Sequence, residues 1–233
     1  MILPKEKLIY VHVPKTGGVS IEEYLLDYFN YSRSIFNFTD GLGYLNFNTA
    51  NNGFRTQYPC MHYPLKDILK QAKDYNVDNN WTIFSVVRNP YYKLISELFF
   101  HPINSLSNHY HTISNNAKIR LINDSIDQYF NDLDILKNYH SLHSYPQYKF
   151  FEDVNVNYQI FKFEDGLYNA IDKLGFGGNE FPHKMNMFQE RRIPRPKYSN
   201  IITSYLVEIV NEKYQKDFEI FEYEMLEPRD FPN

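Results

Sequence analysis

Two hydrophobic periods take turns along this chain. Leu8-Ile9-Tyr10 opens an apolar run that reaches Val13, and Trp81-Thr82-Ile83-Phe84-Ser85-Val86-Val87 is a second. Tyr158-Gln159-Ile160-Phe161-Lys162-Phe163 is a third. Runs this short, rich in β-branched and aromatic residues, predict strands. Between them apolar residues recur at helical spacing: Ile21, Tyr24, Leu25, Tyr28 and Phe29; then Tyr91, Leu94, Ile95, Leu98 and Phe99; then Leu167, Ala170, Ile171 and Leu174. The predicted order is strand 8–13, helix 18–29, a polar irregular stretch 32–60, helix 64–75, strand 81–88 and helix 90–100. A His- and Asn-rich loop 101–117 follows, then one or two helices within 118–140, strand 158–163, helix 166–174, a basic loop 179–198 and helix 199–216. Strands alternating with helices predict an α/β fold, a central parallel sheet flanked by helices on both faces. Ligands of such sheets sit beyond the carboxyl ends of the strands.

The first strand empties into Val11-His12-Val13-Pro14-Lys15-Thr16-Gly17-Gly18-Val19-Ser20. Adjacent glycines let the backbone approach a ligand closely, and successive N–H groups make an anion nest. A helix N-terminus just beyond adds its own attraction for negative charge. Lys15 supplies a point charge, so the segment predicts a site for a phosphorylated ligand. It is not a nucleotide triphosphatase loop, because the lysine precedes the glycines where that motif ends in Gly-Lys-Ser/Thr. The second strand ends at Arg88, where Asn89 can cap and Pro90 can open the next helix. Ser96 falls off that helix's apolar stripe, eight positions after Arg88. An arginine fork with a hydroxyl beside it suits a phosphate dianion.

The order Pro-Lys-Thr-Gly-Gly-x-Ser at 14–20 resembles the 5′-phosphosulfate loop of sulfotransferases, which use 3′-phosphoadenosine-5′-phosphosulfate (PAPS). With His12-Val13 ahead of it, the resemblance is closest to the carbohydrate sulfotransferases related to heparan sulfate 2-O-sulfotransferase. It implies a P-loop-like sulfotransferase fold in a single catalytic domain over 1–233. It also implies PAPS as sulfuryl donor and a hydroxyl acceptor, of a carbohydrate. Lys15, Thr16, Gly17, Gly18, Val19 and Ser20 would hold the phosphosulfate, and Arg88 and Ser96, at the family spacing, the 3′-phosphate. The strand, Glu164-Asp165 and helix near 158–174, and Tyr214-Gln215-Lys216-Asp217-Phe218, resemble the late part of the same family. Val19 stands where many relatives have Thr or Ser, and Lys93 where they often have Arg.

Sulfuryl transfer needs positioning and charge stabilisation, with Lys15 placed to stabilise the departing bisphosphate. It also needs a base for the acceptor hydroxyl. His62, in Tyr58-Pro59-Cys60-Met61-His62-Tyr63-Pro64, is the expected base; relatives carry His-x-His here and this chain matches only the second. His12 reads as a structural hydrogen-bonding residue within strand one. Glu22 and Glu23 read as complements to the helix dipole, with one of them as an alternative base. His109 with His111, and His140 with His143, have spacings that raise zinc, but no Cys or ordered quartet supports it and no metal is expected. Late in the chain Lys184, Arg191, Arg192, Arg195 and Lys197 face Glu190 alone. By itself such a charge run reads equally as a solvated face; in the family a basic loop of this kind closes over the nucleotide or an anionic acceptor, which makes Lys184 and Arg191 the expected cofactor contacts.

Composition bounds these readings. The 233 residues, 43% hydrophobic, suffice for one full core. A formal charge of −4 argues against nucleic acid or long polyanions spread over the surface. No apolar stretch is long enough to cross a membrane and the N-terminus lacks a signal-peptide pattern, which predicts a cytoplasmic protein. Cys60 is the single cysteine, so no internal disulfide forms and it reads as a small buried residue. Aromatic residues, 18%, could stack on sugar rings or equally fill the core. Two other readings stand beside the enzyme: a catalytically silent nucleotide- or glycan-binding module on the same scaffold, and a small-molecule kinase with a divergent loop. Acceptor identity and oligomeric state leave no pattern in the chain.

Overall fold

The computed structural model describes residues 1–31, 62–100, 110, 113–135, 141–179, 181 and 197–233. They fall into two compact units. The first comprises Met1–Val87 and Lys149–Met185, the second Arg88–Tyr148 and Asn186–Asn233.

The first unit is built on a four-stranded sheet in the order β1 (Ile2–Leu3), β2 (Leu8–Val11), β3 (Thr82–Val87), β4 (Gln159–Lys162). β2, β3 and β4 are parallel, as the alternation of strands and helices predicts, with Tyr10 opposite Phe84 and Val86 opposite Phe161. The antiparallel edge strand β1 carries too few residues to leave a periodic signal. On one face Leu8, Tyr10, Phe84 and Val86 pack with Ile21, Tyr24 and Leu25 of α1 (Gly18–Tyr28) and with Ala170 and Ile171. Ile9, Val11, Ile83 and Val87 point to the opposite face and are equally buried, which is why both runs are apolar throughout. β2 stops at Val11, two residues short of the predicted end. The Val13 N–H turns back to the Val11 carbonyl (3.2 Å), which takes His12 and Val13 out of the ladder.

Helix α2 (Leu65–Gln71) is shorter than 64–75 because the chain tightens into a 3₁₀ turn, Lys73–Tyr75, ended by left-handed Asn76 (φ 49°). The second unit holds α3 (Pro90–Phe100), α4 (Asn115–Ile135) and α5 (Ser141–Ser144). Back in the first unit, α6 (Leu167–Lys173) runs to Gly175 (φ 81°), the glycine stop that the pattern predicts. Helix α7 (Ser204–Phe221), in the second unit, starts later than 199. Thr203 caps it by accepting the Leu206 N–H at 3.1 Å. The core of the second unit joins Tyr91, Leu94, Ile95 and Leu98 of α3 to Ile122, Ile126 and Tyr129 of α4 and to Leu206, Val210 and Phe218 of α7. Asn89 caps α3 through its side-chain oxygen, which accepts the Tyr91 N–H at 3.1 Å.

Candidate active site

The turn after β2 has the geometry of an anion cradle. Lys15 adopts a left-handed φ of 65° and Gly17 one of 80°, two left-handed steps within three residues. The Thr16 hydroxyl donates to the Val13 carbonyl (2.8 Å) and is fully buried, so it braces the loop from within. Gly17 caps α1, and its carbonyl accepts the N–H groups of Ser20 (3.0 Å) and Ile21 (3.3 Å). The N–H groups of Gly18 and Val19 make no hydrogen bond among the described residues. Those are the two donors that a helix N-terminus offers to a negative ligand.

Both glycines are required by contact. A Cβ on Gly17 would lie 2.6 Å from Leu167 Cδ1 and 3.1 Å from a Phe163 ring carbon. The strand–acidic pair–helix segment that ends in α6 therefore buttresses the loop from behind. A Cβ on Gly18 would lie 2.1 Å from both Cδ2 and Nε2 of His12.

His12 is thus wedged between the strand end and the first turn of α1. Its Nδ1 stands 3.2 Å from Glu22 Oε1, and the two side chains are 4% and 2% exposed. Burial pushes the Glu22 carboxyl up, yet the nearby His12, with the N-terminal ammonium adding to it, outweighs burial and holds the group below its ordinary value. The expected structural role of His12 agrees with this contact. The dipole reading of Glu22 does not: no acidic residue lies in the first turn of α1, and Glu22 points into the interior. Its neutralising partner is a histidine 10 residues earlier, which a helical pattern does not reveal.

His62 comes to the same place. It is 7% exposed, holds a left-handed φ of 65°, and packs edge-on against the His12 ring with centroids 4.5 Å apart. Its Nδ1 is 3.1 Å from the His12 carbonyl oxygen. A carbonyl only accepts, so Nδ1 carries a proton, and in the neutral form of the ring the lone pair lies on Nε2. Residues 50 apart in sequence are so joined behind one loop. Cys60 lies outside the described residues.

In the second unit, the Arg88 guanidinium lies over the Tyr198 ring, 5.1 Å from its centroid. Ser96 is 3% exposed, and so are Lys93 (3%) and Glu97 (1%). This corrects the picture of α3 as a single apolar stripe with Ser96 off it. The helix is buried on its polar positions too, and two of them, Lys93 and Glu97, meet His143. Lys93 Nζ donates to the His143 carbonyl (2.7 Å), and His143 Nδ1 meets Glu97 Oε1 at 2.9 Å. Burial lowers the Lys93 ammonium below its ordinary value despite nearby Glu97 and Asp217. His143 is thereby engaged by a carboxylate. Among the described residues no group of three or more His, Cys, Asp or Glu is placed to hold a metal. His109, His111, His140, Lys184, Arg191, Arg192 and Arg195 lie outside the described residues.

A family model described as the sulfotransferase family matches residues 1–224. The chain belongs to the sulfotransferase family. Sulfuryl transfer is accordingly its chemistry, on the α/β fold described above. No curated protein and no solved structure matches this sulfotransferase. Among its described residues no helix is long and apolar enough to cross a membrane.

Proposed function

We propose that this sulfotransferase moves the sulfuryl group from PAPS to a hydroxyl of a carbohydrate acceptor. The observation that carries the reading is the loop at 14–20: two glycines enforced by contact, a lysine at left-handed φ, and two helix N–H groups with no partner among the described residues. Such a cradle fits the 5′-phosphosulfate, the part of the donor that supplies the transferred SO₃ unit. Lys15 and the N–H groups of Gly18 and Val19 bind and orient it. As the S–O bond to the 5′-phosphate breaks, Lys15 offsets the charge gathering on the bridging oxygen. Arg88 and Ser96 take the 3′-phosphate, on their motif spacing, and Lys184 and Arg191 are the further cofactor contacts.

His62 is the base. With its proton fixed on Nδ1 by the His12 carbonyl, Nε2 takes the acceptor's hydroxyl proton as that oxygen attacks sulfur. The buried Glu22–His12 pair holds this arrangement from behind. The tautomer supports the reading, because a histidine held the other way would present a proton where a lone pair is needed.

The test is transfer of labelled sulfate from PAPS to a panel of mono- and oligosaccharides, with ATP and magnesium as a parallel donor. Label on a sugar, dependent on Lys15 and His62, is the expected result. Phosphate transfer from ATP with no sulfate transfer would overturn the reading.

A further inference from the structure

The Arg88 main chain is held by a side chain, not by a strand. Gln147 Oε1 accepts the Arg88 N–H at 2.8 Å, and Gln147 Nε2 donates to the Arg88 carbonyl at 2.7 Å. Both bonds fall on one residue, the pairing that a facing β-residue would supply. Gln147 is fully buried, so its amide has these bonds in place of water.

Gln147 is itself fixed. Asp217, also fully buried, accepts the N–H of Gln147 at Oδ2 (2.8 Å) and the N–H of Tyr148 at Oδ1 (2.9 Å). One carboxylate so caps the 3₁₀ turn Gln147–Phe150 from the C-terminal part of α7. Burial pushes the Asp217 carboxyl above its ordinary value, against the pull of those two N–H groups and of Lys93. Such a costly group persists where it is over-determined by its partners. The guanidinium end of Arg88 is meanwhile steadied by Tyr198. Backbone and side chain of a single arginine are thus both anchored, which is more than packing requires of a half-buried residue.

We propose that Gln147, seated by Asp217, is a positioning residue that sets the direction of the Arg88 fork for the 3′-phosphate of the donor. The inference rests on the assignment of Arg88 made above. A phosphate fork works through two parallel bonds, and a small rotation of its backbone misaligns both.

The experiment is calorimetric titration of the full chain with adenosine 3′,5′-bisphosphate and with AMP, which lacks the 3′-phosphate. The ratio of the two affinities isolates that phosphate. Gln147→Met keeps the volume and removes both bonds; the ratio is expected to fall at least tenfold while AMP affinity stays within twofold. In an Arg88→Ala background the same substitution leaves the ratio unchanged, because its route of action is gone. Where the Met variant does not fold by circular dichroism, Gln147→Asn, which keeps the amide but is one methylene short, gives the same readout. A folded variant with the wild-type ratio overturns the proposal, as does an equal loss for both nucleotides. A wild-type ratio near one instead overturns the assignment of Arg88 itself.

Discussion

Gly18→Ala is the substitution whose sign the structure reverses. In an unstrained helix, replacing glycine by alanine stabilises by roughly 0.5–1 kcal/mol, because alanine has less backbone freedom to lose. Gly18 opens α1 without a left-handed φ, so its backbone would accept alanine. The obstacle is the ring of His12. The new Cβ would lie 2.1 Å from Cδ2 and Nε2 and 2.6 Å from Cε1. The ring has little room to retreat: it is 3% exposed, meets Glu22 at 3.2 Å and touches the His62 ring edge. Relieving the overlap moves a packed side chain by roughly 1 Å in an interior without voids. Overpacking of this kind costs about 1–3 kcal/mol, more than the entropic gain. The predicted net effect is a loss of stability, a fall of about 2–4 °C in Tm for each kcal/mol lost. Denaturant melts of Gly18→Ala, His12→Ala and the double variant, followed by circular dichroism, form the cycle. An interaction energy of at least about 1 kcal/mol is expected, the alanine at 18 being tolerated once the ring is gone. Additivity within about 0.5 kcal/mol, or a stabilised single variant, would refute the contact that explains this glycine.

Other predictions concern the chemistry. Lys15→Ala should slow transfer by about 10²–10³-fold with Tm nearly unchanged, as for loss of one group that offsets transition-state charge; a rate within threefold of wild type in a sulfate-transfer assay would remove Lys15 from the mechanism. His62→Ala should lower the rate by about 10²–10⁴-fold while bisphosphate affinity, read by calorimetry, stays close to wild type; loss of nucleotide binding would make His62 a structural residue instead. The acid limb of stability should report Glu22. Its carboxyl sits below its ordinary 4.5, so its contribution is complete above that value and is lost as pH falls through the lowered one. Tm measured from neutral to acid should therefore converge for wild type and Glu22→Gln as pH drops below 4.5, and parallel curves would contradict the pairing with His12.

The parts of the molecule legible in the chain are those whose signal is local. β3 and α3 could be placed within a residue or so because an apolar run, Asn89 and Pro90 mark their junction. Gly175 ended α6 for a similar reason. The loop was legible because two glycines and a lysine side by side have few structural uses. Buried polar partners were not. Glu22 looked like a dipole complement since its histidine lies in another element, and Ser96 was placed off the core stripe since Lys93 and Glu97 beside it gave no hint of being buried with it. Gln147 and Asp217 reach across 59 and 70 residues to their partners, and such pairings leave no period to read. Thr203 was missed as a cap for a simpler reason: Ile201 and Ile202 just ahead of it extend the apolar pattern too early.

The most direct test of the account is calorimetric titration with adenosine 3′,5′-bisphosphate, AMP and ATP–magnesium, on wild type and on Arg88→Ala. The account predicts tight binding of the bisphosphate alone, reduced toward the AMP level by the substitution. Equal binding of all three by the folded protein, or a preference for ATP–magnesium, would contradict the claim that this loop and this arginine serve PAPS.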